Sequence, residues 1–449
     1  MTQLFALHSS YGLATAVAAL DEGLLGDDER VLVPFHSARV PETSEGIAHT
    51  RALAGLRGRF DRVEDLGELL GARHPSSWSP EDDDLPMLSR LLCRAWQVDP
   101  RQLELFVQSP QVAPARTLME LFPGAPVTVV GDGLMTYSPM RVRMSHAVAA
   151  RIGRVVYADV VPGVRPLVGS PAATPVPVRA DAFRATLEQT GAGDALDVAA
   201  DGTPTVLVLG QYLSALGLMS AHDEVALQSR LIDRAMRWQP GRVVFAPHPL
   251  APPLLSDALR DRARAHGVPF AQHRGAVPAE LLASRLGARA VVACFSTALP
   301  TVRSLYGIPI GSAGVDTVLA GLVPYENSNR IPATIVDALT RPDSPYAEPD
   351  SLQALVDAVG YAMQPVVAAH LRERAEEVLS ALDADERDRY FSPERLASLR
   401  LPGAPAAGRV RRMLSGEGVG GVGRLEEARL TVRGARSRVR RAWKAIRGR

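Results

Sequence analysis

Short apolar runs alternate with amphipathic segments along the first 130 residues of the chain. Four runs have the length and the Val, Leu and Phe content of buried strands, and a fifth, Asp61–Leu66, is weaker. The four runs are Gln3–Leu7, Arg30–Pro34, Leu103–Gln108 and Pro126–Val130. The segments with helical spacing between them are Tyr11–Leu24, Leu85–Trp96 and Arg116–Leu121. Strands that alternate with helices predict βαβ units and a parallel sheet.

The same alternation begins again near residue 205. Its predicted strands are Thr205–Gly210, Arg242–Ala246, Val268–Ala271 and Ala290–Cys294, and its predicted helices are Asp223–Trp238, Ser256–His266, Glu280–Leu286 and Thr297–Tyr306. Between the two halves, residues 161–204 are rich in Pro, Gly and Ala around one predicted helix, and we interpret them as an interdomain connection. We therefore predict an α/β protein with GT-B architecture, in which two Rossmann-like domains, 1–160 and 205–400, face each other across a cleft.

The end of the chain differs in composition and charge. From Arg409 onward there are 13 basic and 3 acidic residues, although the whole chain has a formal net charge of only +1. With its Pro, Gly and Ala, segment 401–449 predicts a flexible basic tail. Three roles remain open for it: a solvated tail, contact with anionic membrane lipids, or contact with a polyanionic acceptor. No folded recognition motif accompanies it, so nucleic acid is not an expected partner.

Cysteine content and apolar run length bear on the compartment. Cys93 and Cys294 are too few for a disulfide framework, and we expect two buried thiols in a reducing compartment. The N-terminus has no basic segment followed by a signal-type apolar run, and no run approaches the roughly 18 apolar residues of a membrane span. We expect a cytoplasmic protein that the tail can attach peripherally to the inner face of the plasma membrane.

Three short motifs follow three of the predicted strands: Gly131-Asp132-Gly133, His248-Pro249 and Ser296-Thr297. Polar groups at the carboxyl ends of parallel strands face the crevice in which open α/β sheets bind ligands. Asp132 between two glycines can take a proton from an attacking hydroxyl, and His248, held by prolines, can bind a phosphate oxygen. Ser296 and Thr297 precede a helix whose N-terminus attracts anions. Each motif taken alone is also an ordinary turn, strand end or helix cap.

Two further polar residues are candidates for contacts with a nucleotide donor. Glu280 opens a predicted helix, where one carboxylate can hold two ribose hydroxyls or can simply favour the helix dipole. Gln211 follows the strand Thr205–Gly210 and could meet the donor, although glutamine at a strand end usually has no special role.

Together these motifs resemble the bacterial GT-B sialyltransferases, and most closely the α-2,8-polysialyltransferase-like family. That family has an acidic-Gly motif, a His-Pro motif and a Ser-Ser/Thr motif in this order, and the resemblance covers about residues 1–400. Ser9-Ser10-Tyr11 after the first strand and the segment Val277–Leu282 are also similar to the family. One position departs from it: where the family has a first acid before the acid-Gly pair, this chain has Gly131.

The resemblance implies inverting transfer of sialic acid, or a related acidic sugar, from a CMP-activated donor to a surface or capsular glycan. Asp132 would deprotonate the acceptor, and His248 with Pro249 would bind the departing CMP phosphate. Ser296 and Thr297 would hold that phosphate, Glu280 would hold the ribose, and Gln211 would lie at the donor. Because the donor has a single phosphate, no metal or other cofactor is expected. The acid-rich stretches Asp82–Asp84 and Asp383 with Asp385 flank helices and are interpreted as caps.

Two other functions remain open. One is a GT-B enzyme that uses a different sugar nucleotide, including an epimerase. The other is a degenerate transferase that binds a glycan or serves as a scaffold, as Gly131 and the basic tail suggest. No motif identifies the acceptor site, which we expect on the first domain near Ser9, His36 and Thr136.

Overall fold

The computed structural model describes residues 1–37, 45–191, 196–248, 253–275 and 277–405. Pro249 and nearly all of the predicted basic tail, from position 406 onward, lie outside the described residues. Residues 1–403 form one compact unit.

The first sheet has seven parallel strands in the order β3-β2-β1-β4-β5-β6-β7. Its strands are β1 (Thr2–Leu7), β2 (Glu29–Pro34), β3 (Arg62–Val63), β4 (Leu103–Val107), β5 (Val127–Val130), β6 (Ile152–Ala158) and β7 (Thr174–Val178). All residues of β1, β4 and β5 are buried, as expected for central strands covered by helices on both faces. The strand order reverses between β1 and β4, which creates a crevice at their carboxyl ends.

The second sheet has five parallel strands in the order β10-β9-β8-β11-β12. They are β8 (Thr205–Leu209), β9 (Arg242–Ala246), β10 (Phe270–Gln272), β11 (Ala290–Ala293) and β12 (Ile310–Ser312). Here the order reverses between β8 and β11. Two parallel sheets of this kind confirm the predicted GT-B fold class.

Helices surround the two sheets. They are α1 (Ser10–Asp21), α2 (Ala54–Arg57), α3 (Leu66–Leu70), α4 (Leu85–Ala95), α5 (Ala115–Leu121), α6 (His146–Ala149), α7 (Ala180–Thr190), α8 (Ala221–Ala235), α9 (Pro253–Ala265), α10 (Ala279–Arg285), α11 (Ala298–Tyr306), α12 (Val315–Gly321), α13 (Arg330–Thr340), α14 (Pro349–Met363), α15 (Arg372–Ala381), α16 (Ala384–Tyr390) and α17 (Pro393–Leu399). Asp383 caps α16 by accepting a hydrogen bond from the Glu386 amide, which confirms its interpretation as a helix cap.

The segment predicted as interdomain connection contributes more structure than expected. Residues 161–204 contain β7, which completes the first sheet, and α7, which packs on α1. The sequence pattern does not predict β7, because Pro175 and Pro177 lack the amide hydrogen that a central strand needs. The strand lies at the edge of the sheet, where this loss is tolerated. The stretch that leads from α7 to the second sheet is therefore much shorter than predicted.

The helices after β12 return to the first sheet. The Arg165 amide donates to Oε1 of Gln353 at 2.5 Å, and a Cβ atom on Gly163 would lie 2.7 Å from Cβ of Pro349. Helix α14 thus packs against the loop that follows β6, so part of segment 205–400 lies against the first half of the chain. The two thiols also differ: Cys294 is buried as predicted, but Cys93 on α4 is only half-buried, contrary to prediction.

One buried carboxylate joins two of these last helices, and its loss should destabilise the fold. Asp337 on α13 is 4% exposed and accepts two hydrogen bonds of 2.6 Å from Arg389 and one of 2.7 Å from Tyr390 on α16. We expect Asp337→Asn to lower the free energy of unfolding by about 2–4 kcal/mol, because it leaves the guanidinium without its charged partner. Urea denaturation would measure this, with the exposed Asp343→Asn as a control that should change stability by less than about 0.5 kcal/mol.

Candidate active site

Polar side chains follow three neighbouring strands of the first sheet at their carboxyl ends. His8 and Ser9 follow β1, Gln108 follows β4, and Asp132 follows β5. These ends lie at the point where the strand order reverses, which is where open parallel sheets bind ligands.

A buried hydrogen-bond network orients the Asp132 carboxylate. Gln108 is fully buried, and its Oε1 accepts hydrogen bonds from the amides of His8 at 3.0 Å and Ser9 at 3.2 Å. Its Nε2 donates to Oγ of Ser9 at 2.6 Å, and that hydroxyl donates to Oδ1 of Asp132 at 3.0 Å. The Asp132 amide in turn donates to Oγ1 of Thr136 at 2.8 Å. The carboxylate is therefore oriented by Ser9 and the backbone of Asp132 is held by Thr136, while the residue stays half-buried rather than enclosed in the core.

The imidazole of His8 completes this group, which we call the base cluster: His8, Ser9, Gln108, Asp132 and Thr136. Nε2 of His8 lies 3.2 Å from Oγ of Ser109. Burial lowers the pKa of His8, although the nearby Asp132 carboxylate acts in the opposite direction. The ring is thus held in its neutral form near neutral pH.

The second sheet presents a corresponding row of polar groups. Leu209 pairs with Ala246 on β9, and Val208 pairs with Val292 on β11. This register places Gln211, His248 and the residues before Ser296 at the same level of the sheet edge. Oε1 of Gln211 accepts a hydrogen bond of 2.8 Å from the Phe295 amide, so Gln211 ties the end of β8 to the end of β11.

His248 follows β9 beside the loop that leaves β8. Its ring centroid lies 6.4 Å from that of Tyr212, and a Cβ atom on Gly210 would lie 3.2 Å from the His248 amide nitrogen. The residue is exposed overall, but loss of solvation around the ring lowers the pKa of His248, with the buried Glu224 acting in the opposite direction. The imidazole therefore stands at the sheet edge with its charged form disfavoured by desolvation.

Ser296 and Thr297 lie at the start of α11. The Ala298 amide donates to Oγ of Ser296 at 3.2 Å, and Thr297 is the N-cap residue of the helix. The Leu299 amide donates to the Ser296 carbonyl oxygen at 3.1 Å, and Pro300 has no amide hydrogen. The hydroxyl groups of Ser296 and Thr297 are therefore the groups at this helix start that can donate to an anion.

The two sheets meet at these motifs. The Leu134 amide donates to Oγ1 of Thr297 at 3.3 Å, so the turn that begins at Asp132 contacts the start of α11. Gly133 has φ +53°, and a Cβ atom there would lie 2.5 Å from Cγ2 of Thr297. Glycine is therefore required at position 133 both by the backbone conformation and by the close approach of the two sheets.

Gly131, where the sequence departs from the family pattern, also has no free space. A Cβ atom on Gly131 would lie 2.7 Å from Oγ1 of Thr136 and 2.9 Å from Cβ of Tyr157. This backbone could not carry an acid at position 131 without displacing both neighbours. Asp132 is thus the acid that this turn can present.

Glu280 lies in the first turn of α10, half-buried near two tyrosines. It interacts electrostatically with Tyr11 of α1 and Tyr306 of α11, whose hydroxyls are both buried. Burial raises the pKa of Glu280 and raises that of Tyr306 to about 12. A carboxyl group that lacks strong partners in this position is suited to accept hydrogen bonds from a ligand's hydroxyls.

The sequence did not single out two members of the base cluster, His8 and Gln108. Both stand at the carboxyl ends of predicted strands, so the rule that selected Asp132 could have found them. Of the three residues expected near the acceptor, Ser9 and Thr136 belong to the base cluster, and His36 lies at the end of β2.

Among the described residues, no group of three or more His, Cys, Asp or Glu side chains is arranged to hold a metal ion. Within the same part of the chain, no helix combines the length and the apolarity needed to cross a bilayer.

Comparison with known families places residues 3–313 in a single match, to the family described as alpha-2,8-polysialyltransferase (POLYST). The chain belongs to this family. It is therefore a glycosyltransferase, and membership in the polysialyltransferase family supports sialyl transfer. The predicted resemblance is confirmed.

Several solved structures are similar to the chain at low sequence identity. The chain is similar to a glycosyltransferase from Rickettsia africae ESF-5, at 11% identity over 85% of this chain and 99% of that chain, with a TM-score of 0.38. It is similar to the GT-B domain of a sialyltransferase from Photobacterium damselae, at 10% identity over 75% and 96%, with a TM-score of 0.36. The E. coli heptosyltransferase WaaC with ADP matches at 14% identity over 70% and 87%, with a TM-score of 0.32. No curated protein matches the chain.

The contact between Gly133 and Thr297 generates a prediction. We expect Gly133→Ala to reduce glycosyl transfer by about 10²-fold, because the new methyl group must push the two motifs apart and misplace Asp132. The matched control is Gly23→Ala, since Gly23 also has a positive φ, of +72°, but no atom within 4 Å of the added Cβ.

Steady-state rates and melting temperatures of both variants would test this. The double variant Gly133→Ala, Thr297→Ser removes the closest clashing atom and should recover part of the lost rate. An equal loss of activity in Gly23→Ala and Gly133→Ala would show that backbone strain, and not the contact, is responsible.

Proposed function

We propose that this protein transfers sialic acid, or a related acidic sugar, from a CMP-activated donor to a glycan hydroxyl with inversion at the anomeric carbon and without a metal. The observation that carries the proposal is the contact between the Asp132 turn and Thr297. It supports the proposal because it joins the turn that carries Asp132 on one sheet to the start of α11, which carries Ser296 and Thr297, on the other.

The second sheet would hold the donor. The hydroxyls of Ser296 and Thr297 at the start of α11 would bind the phosphate, and His248 would approach it from β9. Glu280 would accept hydrogen bonds from the two ribose hydroxyls, which would provide the partners that its half-buried carboxyl lacks. Gln211, through its bond to the Phe295 amide, would position the backbone that precedes Ser296.

The first sheet would supply the base. Asp132 would take the proton from the acceptor hydroxyl as that oxygen forms a bond to the anomeric carbon. The bond from that carbon to the phosphate oxygen would break, and its electron pair would leave with CMP. His248 would donate a hydrogen bond or a proton to the departing phosphate. Attack from the face opposite the nucleotide would invert the anomeric centre.

The chemistry of the donor supports a mechanism without a metal. A CMP-sugar has one phosphate, so no diphosphate has to be neutralised by a bridging cation. A sugar of the sialic acid type has a carboxylate and no hydrogen at its anomeric carbon, which favours an oxocarbenium-like transition state. A UDP-sugar would instead need donors for a second phosphate.

The acceptor proposed here is a surface or capsular glycan. The excess of basic residues after Arg409 supports a peripheral contact with anionic lipids at the inner face of the plasma membrane.

The decisive test is Asp132→Asn. The amide keeps an oxygen for Ser9 but cannot accept the acceptor's proton, so we expect transfer from CMP-sialic acid to fall by roughly 10² to 10⁴. CMP affinity, measured by calorimetry, should stay nearly unchanged. Asp159→Asn, at the end of the neighbouring strand β6, is the matched control and should retain most of the rate.

Thermal shifts with CMP, CDP and UDP would identify the donor nucleotide, and assays with EDTA would test the metal. We expect stabilisation by CMP and full activity in EDTA. If Asp132→Asn retains the wild-type rate, or if UDP stabilises the protein and CMP does not, the proposal is wrong.

The lowered pKa of His248 gives a pH prediction. Desolvation lowers the pKa of the His248 ring, and a bound phosphate would raise it, so CMP binding should take up a proton. CMP affinity should then increase as the pH falls toward the pKa of the free ring, which lies below its ordinary value of about 6.5.

Calorimetry in two buffers of different ionisation enthalpy would measure the proton uptake. In His248→Gln the uptake should decrease and CMP should bind about 10- to 100-fold more weakly, because a hydrogen bond to a charged group is lost. Proton uptake that is identical in the variant would contradict the role of His248.

A further inference from the structure

A carboxylate that the proposed mechanism does not use is buried behind the donor side of the second sheet. Glu224 lies in the first turn of α8 and is fully buried. Its two oxygens accept hydrogen bonds from the amides of Leu213 at 2.5 Å and Ser214 at 2.9 Å. Both donors are neutral, and burial of an ionised carboxylate against neutral donors is costly, although the N-terminal end of a helix offsets part of this cost. A carboxylate kept under these conditions is a candidate for a functional role.

The two amides belong to the loop that follows β8. Before them, Tyr212 has a φ of +51°, a left-handed conformation that is unfavourable for a residue with a side chain. Gln211, the preceding residue, accepts a hydrogen bond of 2.8 Å from the amide of Phe295, which directly precedes Ser296. The hydrogen bonds to Glu224 hold this strained loop, and they thereby also hold Gln211 in contact with the segment that leads to the proposed phosphate-binding hydroxyls.

The same loop lies against His248. The ring centroid of Tyr212 is 6.4 Å from that of His248, and a Cβ atom on Gly210 would lie 3.2 Å from the His248 amide nitrogen. Desolvation lowers the pKa of His248, and the Glu224 carboxylate acts in the opposite direction. Tyr212 and Glu224 are the titratable side chains that the loop and α8 place near the ring, and residues 249–252, which follow it, have none.

We propose that Glu224 is a positioning residue of the donor site: it holds the loop against His248, and its charge stabilises the imidazolium as the phosphate departs. The inference rests on the proposed function, because it takes His248 as the group that meets the CMP phosphate. Glu224 would act without touching the donor. Water screens a buried charge poorly, so the attraction between the carboxylate and the imidazolium extends over several ångströms.

The first test is Glu224→Gln, which keeps the size of the side chain and one acceptor oxygen but removes the charge. We expect the pKa of His248, followed by NMR titration of its ring in the CMP complex, to be lower than in the wild type. The pH at which kcat declines on the alkaline side should then move to lower pH, because the imidazolium loses its proton there. Above that pH, kcat should be about 10-fold lower than in the wild type. An unchanged pKa of His248 overturns the inference.

Asp223→Asn is the matched control. Asp223 precedes Glu224 on α8, is exposed, and exchanges hydrogen bonds with Ser220, so this variant removes one negative charge from the same turn. Because water screens an exposed charge, the pKa of His248 and the pH profile should match those of the wild type. An equal shift in both variants would assign the effect to the net charge of the helix end, and this result also overturns the inference.

The second test separates positioning from a general loss of structure. Glu224→Asp keeps the charge on a side chain that is shorter by one methylene, so it should preserve the pKa of His248 but hold the two amides less well. We expect KM for CMP-sialic acid to rise about 10-fold, while KM for an α2,8-linked oligosialic acid acceptor changes by less than about 2-fold. An equal rise in both KM values, or a pKa of His248 as low as in Glu224→Gln, contradicts the inference.

A measurement on the unmodified protein covers the case in which the Glu224 variants do not fold. CMP should slow hydrogen exchange at the amides of Leu213 and Ser214, because a bound donor would stabilise the loop that these amides anchor. Unchanged exchange at both amides overturns the inference and leaves the proposed function intact. A wild-type protein that neither binds CMP nor consumes CMP-sialic acid would instead refute the proposed function itself.

Discussion

The arrangement of the site depends on one contact between the two sheets: the turn after β5 lies against the first residues of α11. The Leu134 amide reaches Oγ1 of Thr297, and Gly133 leaves no room for a side chain between them. Because both elements follow fully buried strands, neither can shift without disturbing a core. The position of the turn that carries Asp132 relative to the start of α11 is thereby set by close packing between the two elements.

Around this contact, burial favours the uncharged forms of three titratable groups. It lowers the pKa of His8 and of His248 and raises the pKa of Glu280. A nucleotide monophosphate would oppose two of these pKa shifts. Its phosphate would stabilise the imidazolium of His248, and its ribose hydroxyls would donate hydrogen bonds to the Glu280 carboxylate. His8 lies on the other sheet, where the nearby Asp132 carboxylate acts against the lowering of its pKa.

The sequence predicted the elements that hold the motifs and missed those that complete the sheets. The strands that end before Asp132, His248 and Ser296 are continuous apolar runs, and such runs are typical of central parallel strands. Strand β7 was not predicted because two prolines interrupt its pattern. Strand β6 was not predicted because Gly153 is exposed and Arg154 is half-buried, which interrupts its apolar run. The network of Gln108, Ser9 and Asp132 joins residues about 100 positions apart, so no local pattern could reveal it.

The position that departs from the family pattern shows how the site tolerates a single acid. Thr136 and Tyr157 occupy the space that a side chain at 131 would need, and Thr136 also accepts the Asp132 amide. Glycine at position 131 is thus accompanied by close packing and by a hydrogen bond that hold the backbone of Asp132, the acid that remains.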